Sequence, residues 1–144
     1  MESRTRTPHR RASTPRLHAD ITRILYGPAR ERGLTVVAEI NVGASFDFRV
    51  PDAAVVAERS DSVFFETALI VVEVLSPKDD TYRKFGFYHR HQVAEILVID
   101  PMTDSVQWYH RGPQTYLPVA GSELLDFDDA AVAAELSWSP RSRR

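Results

Sequence analysis

The sequence predicts an α/β fold, a mixed β-sheet core flanked by helices, on three observations. Residues 68–75 read Ala-Leu-Ile-Val-Val-Glu-Val-Leu, apolar on both faces as a central strand buried from two sides would be. A helical segment separates this run from a second apolar stretch at 95–100, and a strand-helix-strand unit gives a right-handed crossover and a parallel pair. On either side, residues 35–50 and 105–119 alternate in the manner of antiparallel hairpins.

The elements follow in chain order. Residues 1–16 carry Thr7-Pro8, Thr14-Pro15 and scattered Arg with few apolar side chains, so they are expected to form a flexible tail. Leu17, Ile21, Ile24 and Leu25 recur at helical spacing, which starts a first helix near Leu17. Gly27-Pro28 should kink or stop it, and Gly33 is placed to cap it. Strands follow at 35–42 and 46–50 with Asn41-Val42-Gly43-Ala44 as their turn, and residues 53–57 extend the second strand past Pro51. A polar connection, 58–67, leads to the central strand, which ends at Ser76-Pro77.

The spacing of Tyr82, Phe85, Tyr88 and Gln92 predicts a helix over 79–93 despite Gly86, which costs about 1 kcal/mol relative to Ala. Asp100-Pro101 closes the next strand, and a hairpin turns around Arg111-Gly112-Pro113. Residues 17–138 are read as one domain and 139–144 as a basic tail.

Composition narrows the chemistry. Hydrophobic residues make up 43% and charged residues 26% of 144, enough for one core and one site. There is no cysteine, so a metal would be held by oxygen or imidazole, which favours a hard cation. No apolar run is long enough to span a bilayer, and the Arg-rich start lacks a secretory apolar segment, so the expectation is a cytoplasmic protein without membrane association.

The net charge of -2 hides an asymmetry: residues 1–16 hold five Arg against Glu2, and 141–144 hold three Arg. Setting those aside leaves 10 basic against 19 acidic residues in the body. A general basic nucleic-acid surface is therefore not visible in the body, which counts against tight non-specific binding, and any attraction for phosphate must come from the tails, a local patch or a bound cation.

Glu73 is the most informative residue, because an ionised carboxylate within a Leu/Ile/Val strand costs several kcal/mol unless donors or a cation satisfy it. It is either a strand-end acid paired with a neighbouring Arg or a metal ligand. Asp52 follows Pro51 at the end of the preceding hairpin, so the two carboxylates are expected at the ends of adjacent strands. Together they suit Mg²⁺, which takes one or two carboxylates plus water and phosphate oxygens.

Thr81, Lys84, Tyr88 and His91 share one face of the following helix, and Lys84 either faces the carboxylates or pairs with Asp80 on the surface. His89 and His91 are too poorly spaced to chelate. His18 is open to a capping, packing or catalytic role, and Trp108 and Tyr109 are expected to pack the last hairpin.

Across residues 14–127 the sequence resembles the PD-(D/E)XK nuclease superfamily and, within it, the Uma family of restriction-endonuclease-like proteins. The matching residues are Arg49-Val50-Pro51-Asp52, Val71-Val72-Glu73-Val74-Leu75-Ser76-Pro77, Lys84 with Tyr88, and the run from Val93-Ala94-Glu95 to Asp100-Pro101. The resemblance implies a restriction-endonuclease-like sheet, with Asp52, Glu73 and the backbone carbonyl of Val74 as ligands for Mg²⁺ or Mn²⁺. The position two residues after the acidic one, where the superfamily carries lysine, is Leu75, so the lysine role passes to Lys84. Glu39 is a candidate extra acid on the first strand, although a solvent-facing position suits it equally.

The expected function is Mg²⁺-dependent endonucleolytic hydrolysis of DNA, with DNA as partner and homodimer formation open. The alternative is a catalytically silent binding or assembly module on the same fold.

Overall fold

The computed structural model describes residues 13–78 and 80–138. Helix α1, Ser13–Glu31, leads to strands β1 (Thr35–Val37), β2 (Asn41–Ala44), β3 (Asp47–Arg49), β4 (Ala53–Val56), β5 (Phe64–Phe65) and β6 (Ile70–Val74). A single 3₁₀ turn, Thr81–Arg83, opens into helix α2, Lys84–Arg90. Strands β7 (Glu95–Asp100), β8 (Ser105–Arg111), β9 (Tyr116–Val119), β10 (Gly121–Ser122) and β11 (Phe127–Asp128) then precede helix α3, Asp129–Glu135.

Six strands form one mixed sheet in the order β1-β4-β6-β7-β8-β9. Its centre is the expected parallel pair, β6 with β7, in which Glu73 lies opposite Val98. All five residues of β6 are buried. Alternation along the strands splits the interior in two. Ile70, Val72 and Val74 pack with Leu17, Ile21, Leu25 and Val132 from α1 and α3. Val71, on the other face, packs with Phe87, Tyr88 and Val98. Glu73 therefore faces α2 by the period of two.

Five expectations are corrected. The first helix begins at Ser13 and is not stopped at Pro28, running on to Glu31. Proline removes one helical bond at a cost of about 3 kcal/mol, but Leu25 and Ala29 on either side of it are buried in the core and hold the helix. Gly33 does cap it, at φ 72°, with Leu34 N–H donating to the Ala29 carbonyl at 2.9 Å. The segment Asn41-Val42-Gly43-Ala44 is strand β2 rather than a turn, paired with β3 from Val42↔Arg49 to Ala44↔Asp47. Gly43 is needed for close approach, since a Cβ there would stand 2.5 Å from the Asp47 carbonyl oxygen and 3.0 Å from Phe87 Cζ. The expected long strand at 35–42 breaks at Glu39, whose φ is 58°.

Residues 53–57 do not prolong the hairpin either: β4 joins the main sheet beside β6, whereas β3, β2 and β5 form a separate three-stranded sheet. The helix expected over 79–93 is confined to the 3₁₀ turn and α2. Of the proposed N-terminal tail, residues 1–12 lie outside the described residues, as do 139–144. Among the described residues no helix is long and apolar enough to cross a membrane.

Candidate metal and catalytic centre

Two carboxylates are buried on neighbouring strands, and their partners separate their roles. Glu95, which opens β7, accepts from Ser122 Oγ at 2.5 Å, Glu123 N–H at 2.9 Å and Leu124 N–H at 3.2 Å. These donors fix the β10 turn, so this acid is structural.

Glu73 is 2% exposed, and both of its carboxylate oxygens meet side chains of α2. The Tyr88 hydroxyl donates to Oε2 at 2.6 Å, and Lys84 Nζ donates to Oε1 at 3.2 Å. Lys84 and Tyr88 reach it together because they are four residues apart on one face of α2. Asp80, the alternative partner for Lys84, instead faces Arg83 at 3.8 Å.

Asp52 is fixed at the passage from β3 to β4. Its N–H donates to the Val72 carbonyl at 2.9 Å, and its Oδ2 accepts from Val74 N–H at 2.7 Å. These bonds place Asp52 against the same end of β6 that carries Glu73. Its other oxygen, Oδ1, points to His18 of α1, whose Nε2 lies 3.1 Å away. That nitrogen is buried and, among the described residues, has no aligned hydrogen-bond partner. His18 thus stands against the second Asp52 oxygen and joins the residues of the centre.

Electrostatics support the same reading. Burial pushes the Glu73 carboxyl up to about 7, and the neighbouring Asp52 charge adds to the rise, while the Tyr88 hydrogen bond and the Lys84 charge oppose it. A buried acid held that far above its ordinary range is one for which a cation has unusual value. Burial first, and then Glu73, raise the Tyr88 hydroxyl so far that it stays protonated and serves as a donor.

Replacing Tyr88 by Phe should leave Glu73 Oε2 unpaired in the interior. The expected loss is about 1–3 kcal/mol of unfolding free energy near neutral pH, read by urea denaturation. Unchanged stability would show that the hydroxyl does not hold Glu73.

Of the residues singled out in the sequence, Asp52, Glu73 and Lys84 are brought together, and the main chain of Val74 lies between them. Glu39 is exposed at a kink away from the sheet. His89 contacts the Gly112 carbonyl at 2.7 Å and His91 the Glu66 carbonyl at 3.1 Å. Trp108 is buried in the core against α1 and α3, and Tyr109 packs edge-on to Phe85. Sequence reasoning left His18 undecided and gave Tyr88 no role; the spacing of Tyr88 four residues after Lys84 was the available signal.

No three His, Cys, Asp or Glu side chains among the described residues are arranged to hold a metal by themselves. A cation here would rest on two carboxylates and complete its shell with main-chain oxygen and water, the sparse protein ligation that Mg²⁺ accepts.

A mixed sheet with an aspartate and a buried glutamate at the ends of adjacent central strands, faced by a lysine, defines a nuclease-like α/β protein. A solved structure of a "putative nuclease belonging to DUF820" from Anabaena variabilis shares this fold, with a TM-score of 0.71 over 92% of this chain and 87% of that one, at 14% identity. The sequence pattern of the Uma2 family, described as "putative restriction endonuclease", matches residues 3–139, and the chain belongs to that family. No curated protein sequence matches it.

Proposed function

We propose that the protein is a divalent-metal-dependent endonuclease that hydrolyses phosphodiester bonds in DNA. The observation that carries this reading is the convergence of Asp52, Glu73 and Lys84 at one end of β6, with Glu73 buried and its carboxyl raised. Asp52 and Glu73 would hold Mg²⁺ or Mn²⁺, with the Val74 carbonyl as a further oxygen. The cation would supply a polarised water and neutralise charge on the phosphate. Lys84, released from Glu73 Oε1, would orient the attacking water or stabilise the pentavalent phosphate. Tyr88 keeps Glu73 in place throughout. A cytoplasmic setting is part of the same proposal, and homodimer formation stays open.

One observation favours a second reading, a silent binding module: both Glu73 oxygens already have protein donors, so the centre is internally satisfied. Incubation of plasmid and single-stranded DNA with Mg²⁺ and with Mn²⁺ separates the two. Cation-dependent cleavage supports the enzyme, and intact DNA under every condition supports the module.

A further inference from the structure

An acidic body needs a local device to receive a phosphate chain. We propose that Arg49 and Arg90, gathered around the ring of Phe87, form a phosphate-docking pair that receives the backbone of the substrate strand beside the carboxylate centre. The inference rests on the nuclease reading for the identity of the strand.

Arg49 lies on β3, three residues before Asp52, and its guanidinium carbon stands 4.3 Å from the centre of the Phe87 ring. His91 stacks on Phe87 at 4.2 Å with the planes 25° apart. Two groups so close to one centroid cannot share a face, so the ring is sandwiched between them. The Arg90 guanidinium carbon lies 5.8 Å from the same centroid. Two cations are thus collected on one buried ring.

Their compensation is incomplete. Arg49 Nη1 donates to Asp47 Oδ1 at 3.0 Å and to the Phe48 carbonyl at 2.9 Å. Among the described residues, the rest of its donor fork makes no hydrogen bond, and no carboxylate pairs with Arg90. A flat guanidinium seated on an aromatic face loses little freedom when it binds and presents a fork that matches phosphate.

The mount is stiff and adjacent to the chemistry. Phe87 precedes Tyr88, the residue that holds Glu73, and Gly43 lets the β2–β3 hairpin rest directly on the Phe87 ring. The Arg49 charge is also felt at the Tyr88 hydroxyl. Beyond the pair, Arg90 and His91 line an open cleft of about 430 Å³ together with Phe46, 90% exposed at the hairpin tip, and with the acidic Asp47 and Glu66. A nucleotide leaving the docking pair has room there, with an aromatic face on which a base can stack.

The test reads binding, so that it stands apart from cleavage. Fluorescence anisotropy of a labelled single-stranded oligonucleotide is followed with chelator present, across a salt series, for the unmodified protein, Arg49→Gln, Arg90→Gln and the double variant. Each single variant should weaken binding roughly five- to tenfold and reduce the slope of log affinity against log salt by about 0.7, and the double variant by about twice that. Arg90 is exposed, so its variant remains informative even if Arg49→Gln disturbs the hairpin; thermal melting identifies that case, and Arg49→Lys then keeps the charge. An unaltered slope in the double variant overturns the proposal, as does failure of the unmodified protein to bind. Cleavage of plasmid DNA with an unaltered slope overturns the docking pair alone, whereas a reduced slope without cleavage supports the pair while removing the nuclease reading.

Discussion

Replacing Glu73 by Gln should abolish metal-dependent cleavage, by about a thousandfold or more in single-turnover rate, while making the metal-free protein more stable at alkaline pH. The first half follows from removing a ligand charge whose cation contributes several kcal/mol of transition-state stabilisation. The second follows from linkage. Glu73 titrates near its ordinary 4.5 in the unfolded chain and near 7 in the folded one. Between those values the folded protein binds a proton that the unfolded chain has released, so stability is fully present below the unfolded value and is lost as pH rises through the folded one.

The separation corresponds to about 3 kcal/mol when both states are ionised. Gln keeps the shape without the charge, so its advantage should be largest near pH 8 and vanish below about pH 4.5. Urea denaturation with chelator at the two pH values measures it. A Gln variant no more stable than the unmodified protein at pH 8 would mean that Tyr88 and Lys84 fully offset the burial cost. Residual cleavage within tenfold of the unmodified protein would place the cation elsewhere.

Lys84→Ala should lower single-turnover cleavage by roughly two to four orders of magnitude while Mg²⁺ affinity stays the same or rises. The rate loss is that of a positioned proton-transfer or charge-stabilising group. The affinity change has a geometric cause: the ammonium is 3.2 Å from Glu73 Oε1, where it competes with an incoming cation. Calorimetric Mg²⁺ titration and single-turnover assays on plasmid DNA give the two halves independently. Cleavage that survives the substitution would remove Lys84 from the chemistry and leave it as the counter-ion of a buried acid.

The site was legible wherever a residue violated its surroundings. A glutamate inside Val-Val-Glu-Val is conspicuous because burial of charge is costly, and an aspartate after Pro51 followed by that strand suffices to place two acids together. The parallel β6–β7 pair and the β8–β9 hairpin were legible for the same kind of reason, strong periodicity bounded by Pro or Gly. What misled was punctuation. Gly43 reads as a turn residue, but its missing side chain makes room for Phe48 and Phe87, and that requirement comes from positions distant in the chain. Pro28 reads as a terminator, but the packing of Leu25 and Ala29 exceeds the cost of one lost bond. His18 was undecidable because its partner, Asp52, is brought to it only by the docking of α1 on the sheet.

The placement of Glu73 on a strand paired on one side with β4 and on the other with β7 also bears on how the protein acquires its activity. The residues of the centre stand at positions 18, 52, 73, 84 and 88, contributed by α1, the passage from β3 to β4, β6 and α2. Parallel pairing across a crossover is non-local, so its loop-closure entropy must be met before its contacts form. In native-state hydrogen exchange the amides of Val74 and Leu75, which bond to Asp52 and to the Ile99 carbonyl, should fall in the slowest class, opening only with global unfolding. A chain cut short before β7 should accordingly show none of the proposed activity.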